Sequence, residues 1–202
     1  MSPQSQFDLH DVEVVFRQDC YKGFVKVECV QLRHRLFADQ SWSAPLKREI
    51  VKRRRAAGVL ICDDTLKQFL LIEQFRAGAL NHPQTPWQFE IVAGLIDGDE
   101  TAEQCLVREA KEEANCDIQD LQHIFSFYPS SGASDEIYDL YIAQAHLDDA
   151  QGVFGEKTEG EDIKVHIFDF ADIDLLLNSG TISNAPLIIA LQHLKQKCHQ
   201  QS

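Results

Sequence analysis

The sequence predicts an α+β protein with a small antiparallel sheet at its N-terminus and one central helix among strands. Apolar and polar residues alternate from Asp11 to Phe37, which is the period of strands that bury one face. Residues 102–114 instead repeat apolar positions at helical spacing. Two further helices are expected near the end of the chain, at about 170–178 and 184–198. This order, mostly strands with helices in the middle and at the end, is typical of mixed α+β folds.

The remaining strands are predicted from short apolar runs separated by turn residues. They are expected at 42–51, 56–62, 68–75, 87–92, 121–128, 137–145 and 163–169. Residues 78–86 hold two prolines and are predicted to form a loop. We expect two domains, with residues 1–50 forming the N-terminal antiparallel sheet and residues 51–202 forming the larger domain.

The helix at 102–114 has clear local signals at both ends. Thr101 and Gln104 have the spacing of a capping box at the start. Asn115 follows the last turn, and asparagine tolerates the left-handed conformation that ends many helices. The residues expected to dock this helix on the sheet are Leu106, Val107, Ala110 and Ala114.

Composition excludes several classes of protein. The net charge of −13 disfavours binding to nucleic acid, because the phosphate backbone attracts basic surfaces. No stretch approaches the roughly 18 apolar residues of a membrane-spanning helix. The first fifteen residues lack the pattern of a secretory signal, and the six cysteines include no C-x-x-C pair. A cytoplasmic protein is therefore expected.

Three glutamates on the central helix indicate a metal site. Glu109, Glu112 and Glu113 are three and four residues apart, so they project from one side of the helix. Like charges at this spacing repel, which a sequence selected only for stability would avoid. Clustered carboxylates are what Mg²⁺ and Mn²⁺ require. The alternative reading of these residues alone is an acidic helix face in contact with solvent.

The segment around this helix resembles the Nudix box, G-x5-E-x7-R-E-U-x-E-E-x-G-U, where U is a bulky aliphatic residue. The matching residues are Gly94, Glu100, Arg108, Glu109, Glu112 and Glu113. Asn115 replaces the second glycine, Cys116 replaces the last aliphatic residue, and Ala110 is a small residue at the inner aliphatic position. The resemblance implies a Nudix fold, which is an α/β/α sandwich of mixed sheets around a catalytic helix.

The resemblance also implies roles for individual residues. The expected ligands of Mg²⁺, with Mn²⁺ as the alternative ion, are the backbone carbonyl of Ala93 and the side chains of Glu109, Glu112, Glu113 and Glu161. The residues expected to maintain the conformation of the box are Gly94, Glu100 and Arg108. The catalytic base would come from the acidic, glycine-rich loop Gly152–Asp162, where Glu159 is preferred and Glu156 competes with it.

Outside the box, the chain is similar to bacterial ADP-ribose pyrophosphatases. The similar segments include YKGFVKVE at 21–28, RHRLF at 33–37, KREIVKR at 47–53, LLIEQFR at 70–76, PWQFEIVAGLID at 86–97, SGASDE at 131–136 and SNAPLIIALQHL at 183–194. This similarity implies a homodimer with a shared active site and a nucleotide sugar as the ligand. Phe24 and Val25 would contact adenine, while Arg48, Arg53 and Arg76 would hold phosphate or ribose oxygens. The other expected pocket residues are Glu49, Leu95, Ser130 and Glu136.

The similarity predicts hydrolysis of ADP-ribose to AMP and ribose 5-phosphate. One residue departs from the pattern, because Ser131 stands where members that cleave ADP-ribose usually carry a proline. Another nucleoside diphosphate sugar or a dinucleotide is therefore the alternative substrate. A protein that only senses ADP-ribose is a third reading, disfavoured by the complete set of box acids.

Overall fold

A computed structural model describes residues 3–148 and 150–200, apart from the side chain of Glu159. The chain forms two compact units. Unit 1 contains the chain up to Arg54 together with Tyr128–Glu136, and unit 2 contains Arg55–Phe127 and the chain from Ile137 onward. The division into domains at residue 50 stays a prediction.

Unit 1 contains a three-stranded antiparallel sheet in the order β1-β2-β3. Its strands are β1 Val12–Lys22, β2 Lys26–His34 and β3 Leu46–Lys52. The third strand begins four residues later than predicted. Trp42 makes only an isolated bridge to Arg35, and Pro45 lacks the N–H that a regular ladder would use. The strand therefore starts only after the proline.

Unit 2 is built on an eight-stranded mixed sheet. Its strands are β4 Ala56–Asp63, β5 Gln68–Phe75, β6 Trp87–Glu90, β7 Val92–Leu95, β8 Gln119–Phe127, β9 Tyr138–Gln144, β10 Gly152–Phe154 and β11 Ile163–Asp169. The order is β10-β11-β5-β4-β9-β8, with β6 paired to β5 and β7 paired to β4. Strands β4 and β9 run parallel. The single strand predicted at 87–92 is instead two strands, because the chain changes partner from β5 to β4 at Ile91.

Helices cover both faces of this sheet. They are α1 Ala102–Ala114, α2 Ile173–Asn178 and α3 Ala185–Gln200. On β4, Ala57, Val59 and Ile61 join the core under α1, whereas Ala56, Leu60 and Cys62 join the core under α2 and α3. All eight residues of β4 are buried, as expected for a central strand covered on both sides. Each fully buried aliphatic side chain contributes about 1.5–3 kcal/mol to the free energy of folding. The α+β class and the α/β/α layers are thus confirmed.

Helix α1 has the ends that the sequence predicts. The Thr101 hydroxyl accepts the N–H of Gln104 at 3.2 Å, and the Gln104 side chain accepts the N–H of Thr101 at 2.9 Å. Asn115 adopts the left-handed conformation with φ of 50°. Both signals lie within one helical turn of a helix end, so the two ends can be predicted without knowledge of tertiary contacts.

The docking face of α1 differs from the prediction at one residue. Leu106, Ala110 and Ala114 are buried, but Val107 is 50% exposed and Cys105 is buried in its place. Glu113 is also buried, at 3% exposure. At 3.6 residues per turn, Glu113 is only about 20° from Leu106 around the helix axis, whereas Val107 is about 100° away. The acidic and apolar faces of α1 therefore overlap at Glu113.

Within the described ranges, no helix is both long enough and apolar enough to cross a membrane.

Candidate active site

The first glycine of the box allows strand β7 and helix α1 to approach each other. Gly94 pairs with Ala57 of β4. A Cβ added at Gly94 would lie 1.9 Å from Oε1 of Glu109, which is far inside contact distance. The carboxylate of Glu109 thus lies against the backbone of β7, in space that any other residue would fill.

Glu113 is the carboxylate most strongly held in place. Its Oε2 accepts the backbone N–H of Ala93 at 3.1 Å. Burial raises the pKa of Glu113 well above its usual range, and the negative charges of Glu109 and Glu161 raise it further. Burial also raises the pKa of Glu109, assisted by Glu112 and Glu161 and opposed by Arg108. Acidic side chains are therefore clustered where β7 contacts α1.

Arg108 is the cation that partly balances these acids. Its Nη1 donates to Glu109 at 2.7 Å and to Glu112 at 2.9 Å, and its Nε donates to Glu100 at 3.2 Å. One guanidinium thus joins the loop before α1 to two successive turns of the helix. Glu112 is the most exposed of the three helix glutamates, with a side chain 47% exposed, against 14% for Glu109.

Among the residues that the structure describes, no group of three or more His, Cys, Asp or Glu side chains meets in the geometry of a metal site. The expected ligands have other contacts: Arg108 holds Glu109 and Glu112, and Ala93 holds Glu113. The donor set nevertheless fits a hard divalent cation. Its members are carboxylates, burial and neighbouring negative charges raise the pKa values of two of them, and the space beside Gly94 accommodates one of them.

The loop after β10 meets the C-terminal half of α1. The N–H of Gly155 donates to the carbonyl of Glu112 at 3.2 Å. The Glu161 carboxylate accepts the N–H of Glu156 at 2.9 Å, and its charge reaches both Glu109 and Glu113. The side chain of Glu159, which the sequence favours as the base, lies outside the described part of the structure.

Glu156, the competing base, has local partners. Its carboxylate accepts the N–H and the hydroxyl of Thr158 at 3.1 and 3.0 Å. These hydrogen bonds lower the pKa of Glu156. The side chain thus caps a short 3-10 turn, Lys157–Glu159.

A buried carboxylate that the sequence reasoning missed holds Arg76. Glu90 is 6% exposed. Nε of Arg76 donates to both of its oxygens at 3.1 Å, and Nη2 donates to Oε2 at 2.7 Å. Although burial opposes the charged form, the hydrogen bonds that Arg76 donates to Glu90 raise the pKa of Arg76, and the charge of Glu113 adds to this. A signal was present, since Gln88 and Glu90 are polar residues that alternate with Phe89 and Ile91 in the predicted strand at 87–92.

A second missed network anchors the start of the box. Asp139 is 3% exposed and accepts two hydrogen bonds from Nη2 of Arg55, at 2.9 and 2.7 Å, and one from Ser126 at 2.6 Å. The carbonyl of Arg55 accepts the N–H of Ile96 at 3.0 Å. This network borders a cavity of about 510 Å³ beside the start of α1.

The residues expected to contact substrate fall into both units. In unit 1, Phe24 is 96% exposed, in the turn between β1 and β2 that also contains Val25. Arg48 and Glu49 lie on β3. The other expected substrate contacts in unit 1 are Arg53, Glu136 and Ser130. Arg53 and Glu136 pair at 3.7 Å. The carbonyl of Ser130 accepts the N–H groups of Ala133 and Ser134.

Leu95 and Arg76 belong to unit 2. Leu95 ends β7, and its carbonyl accepts a weak hydrogen bond from the Cys105 thiol at 3.7 Å. Arg76 follows the end of β5. Unit 2 therefore brings together the box residues, Glu161 and the Arg76–Glu90 pair.

Comparison with known proteins finds similar pyrophosphatases. The chain is 36% identical over 189 residues to an ADP-ribose pyrophosphatase of Escherichia coli strain K12, covering 94% of this chain and 90% of that protein. It is 32% identical over 198 residues to an ADP-ribose pyrophosphatase of Haemophilus influenzae, covering 96% and 91%. It is 33% identical over 150 residues to a GDP-mannose pyrophosphatase of Salmonella choleraesuis, covering 74% and 78%.

The fold has a counterpart among solved structures. The crystal structure of an ADP compounds hydrolase superposes with a TM-score of 0.74 at 18% identity, covering 97% of this chain and 98% of that one. The sequence profile of the NUDIX domain matches residues 52–191, a span that includes the whole box and the loop after β10. The chain therefore belongs to the Nudix family, and it is a Nudix pyrophosphohydrolase.

Proposed function

We propose that this enzyme hydrolyses ADP-ribose to AMP and ribose 5-phosphate in a reaction that depends on a divalent metal ion. The observation that carries the proposal is the placement of Glu109 against Gly94 and of Glu113 on the N–H of Ala93, where burial and the charge of Glu161 raise the pKa values of both carboxyl groups. Identity of 36% to the E. coli ADP-ribose pyrophosphatase over 94% of the chain supports the substrate.

We assign Mg²⁺, or Mn²⁺ in its place, to the carbonyl of Ala93 and the carboxylates of Glu109, Glu112, Glu113 and Glu161. Bound cations would offset the charge that develops on the diphosphate and lower the pKa of a water molecule. Gly94 leaves room for the carboxylate of Glu109. Ala93 fixes Glu113 through its N–H, and Arg108 would hold Glu112 and Glu100 as it does here.

We propose Glu159 as the general base. Its carboxylate would take a proton from water as the water oxygen bonds to one phosphorus, while the bond from that phosphorus to the bridging oxygen breaks. Glu156 is less suited, because its carboxylate is engaged by Thr158 and its pKa is lowered by these bonds.

The substrate contacts are proposals of the same kind. Phe24 and Val25 would contact adenine, and Arg48, Arg53 and Arg76 would hold phosphate or ribose oxygens. Glu49, Leu95, Ser130 and Glu136 would complete the pocket in a homodimer with a shared site. The dimer is supported by β1, an edge strand that exposes Val12, Val14 and Phe16 at 41, 42 and 50%. Light scattering after size exclusion would measure the mass of the particle.

A GDP-sugar is the second candidate substrate. The GDP-mannose pyrophosphatase of Salmonella is 33% identical over 74% of the chain, and Ser131 replaces the proline expected for ADP-ribose. Values of kcat/KM for ADP-ribose, GDP-mannose and diadenosine polyphosphates, each with Mg²⁺, would rank them. A higher kcat/KM for GDP-mannose than for ADP-ribose would replace the proposed substrate.

Exchanging Glu113 for Gln tests the metal assignment. We expect turnover to fall by at least about a thousandfold, because a ligand and a negative charge are lost together. Binding of Mn²⁺, followed by the loss of its free-ion electron paramagnetic resonance signal, should weaken in parallel. Glu103→Gln is the matched control on the same helix, since Glu103 bonds Tyr141 at 2.9 Å and is not among the proposed ligands. Unchanged Mn²⁺ binding in Glu113→Gln would refute the assignment.

We also propose a cytoplasmic setting, which is supported by the buried free thiols of Cys29, Cys62, Cys105 and Cys116.

A further inference from the structure

The pair formed by Glu90 and Arg76 is costly to bury, so its presence calls for an explanation beyond stability. The Glu90 side chain is 8% exposed, while that of Arg76 is 46% exposed. Apolar residues of similar volume often replace a buried ion pair with no loss of stability. Gln74 adds a further, longer contact to the same carboxylate at 3.5 Å. The main hydrogen-bond partner of this carboxylate is thus one half-exposed guanidinium.

The geometry of the pair leaves part of the guanidinium for a ligand. Glu90 engages the edge formed by Nε and Nη2. A guanidinium has five N–H donors, so the two on Nη1 and the second on Nη2 are not used by Glu90. One N–H of Nη1 and the second N–H of Nη2 point in the same direction, and such a parallel pair of donors can bind two oxygens of a phosphate.

One short stretch of chain connects this pair to the proposed metal site. The carbonyl of Pro86 accepts the N–H of Arg76 at 2.9 Å, at the start of β6. Glu90 ends β6, and Ala93, three residues later, donates its N–H to Glu113 at 3.1 Å. Arg76 is also close enough to Glu113 for the two charges to affect each other. A displacement of Glu90 would therefore change the position of the Arg76 guanidinium, which Glu90 holds by hydrogen bonds.

We propose that Glu90 is a positioning residue, which grips Arg76 by its Nε–Nη2 edge so that the Nη1–Nη2 edge can bind a phosphate oxygen of the diphosphate substrate beside Glu113. This inference rests on the proposed function. Glu90 itself touches no reacting atom, and it acts by restricting the rotamers of Arg76 before the substrate arrives.

The test is Glu90→Gln, which keeps the shape and removes one acceptor. The glutamine NH₂ group would face guanidinium donors, so Arg76 would lose its second bond and turn away. We expect the Kd of an ADP-ribose analogue with a methylene bridge between the phosphorus atoms to rise roughly ten- to hundredfold. With ADP-ribose, KM should rise by a similar factor while kcat changes less, because the contact exists before and during the reaction.

Glu73→Gln is the matched control. It removes a carboxylate of β5 that pairs with His166 at 2.8 Å, in the same sheet and outside the proposed site. Its Kd for the analogue should stay within about twofold of the wild type. Thermal unfolding of both variants would check that each is folded.

A double-variant cycle separates positioning from a direct role. In an Arg76→Ala background, Glu90→Gln should raise the Kd by less than about twofold, since the group it positions is gone. Equal weakening in both backgrounds would refute the proposal, as would an unchanged Kd in the single variant. Wild-type protein that neither binds nor hydrolyses ADP-ribose would instead overturn the proposed function.

Discussion

Gly94 and Glu109 approach so closely that a Cβ built on the glycine would lie 1.9 Å from the carboxylate oxygen. This contact joins the strand that carries Ala93 to the helix that carries the proposed metal ligands. Position 94 therefore sets where one carboxylate of the site can lie, although the glycine has no functional group of its own.

Gly94→Ala should reduce kcat/KM for ADP-ribose by about a hundredfold, because the Glu109 side chain must move by an ångström or more and such shifts are costly in an active site. The fold should persist, since the displaced group is a side chain. Gly78→Ala is the control, as a Cβ there meets nothing within 4 Å. Steady-state kinetics on both variants measures the effect. Equal activity of the two variants would show that the position of Glu109 does not matter for turnover.

Glu113→Gln should stabilise the metal-free protein at neutral pH even as it removes activity. Burial raises the pKa of Glu113, so the folded state binds this proton more tightly than the unfolded state does. The stability that protonated Glu113 provides is present at acidic pH and is lost as pH rises through the raised pKa. The gain from the variant should therefore be largest near pH 8 and shrink towards pH 5.

Urea unfolding in EDTA across this pH range would measure that gain. Each 1 kcal/mol also corresponds to about 2–4 °C in Tm for a chain of this size. Glu112→Gln, with a half-exposed side chain, should change stability by less than about 0.5 kcal/mol. A stabilisation that grows towards acidic pH would contradict the assigned cause.

Asn115 gives a prediction about the end of helix α1. Its φ of 50° is left-handed, and its N–H donates to the carbonyl of Lys111 at 3.1 Å. Asn115→Ala should cost about 1 kcal/mol, because alanine tolerates the left-handed conformation less well than asparagine does, whereas Asn115→Gly should be neutral or slightly stabilising. Chemical denaturation would rank the three proteins. An alanine variant as stable as the wild type would contradict this account of the cap.

Local signals explain which elements could be predicted from the sequence. Helix α1 begins and ends where its capping box and Asn115 indicate, and β5 has the predicted bounds, because short-range patterns define both. The strand β10, Gly152–Phe154, was predicted as loop. Its three residues form a strand only by pairing with β11, and that partner cannot be read from a local pattern.

The same distinction applies to the candidate site. The spacing of the box placed Glu109, Glu112 and Glu113 on one side of α1, but their burial depends on how the helix docks. Glu90 could be noticed only as a polar residue in a predicted strand. Its role follows from Arg76, which is 14 residues away in the chain and adjacent only because β5 and β6 pair.

Asp63 gives a prediction about acid stability away from the site. Its carboxylate accepts three backbone N–H groups, from Thr65 at 2.9 Å, Leu66 at 3.0 Å and Leu147 at 3.3 Å. Although burial opposes the charged form, these hydrogen bonds lower the pKa of Asp63 below its usual value. The folded state therefore binds this proton less tightly than the unfolded state does. Its stabilising effect is full above about pH 4, the pKa in the unfolded chain, and is lost as pH falls through the lowered pKa.

Asp63→Asn should accordingly cost about 1–3 kcal/mol at pH 7, because an amide replaces one acceptor with a donor among N–H groups. The difference from the wild type should shrink below about pH 4, where Asp63 takes up a proton in the unfolded wild-type chain, and later in the folded protein as pH falls further. Urea unfolding at pH 7 and at pH 3 would measure both values, and turnover per folded molecule at pH 7 should be unchanged. A penalty that is the same at both pH values would mean that the charge on Asp63 has no part in holding Thr65, Leu66 and Leu147, and that only the shape of the side chain matters there.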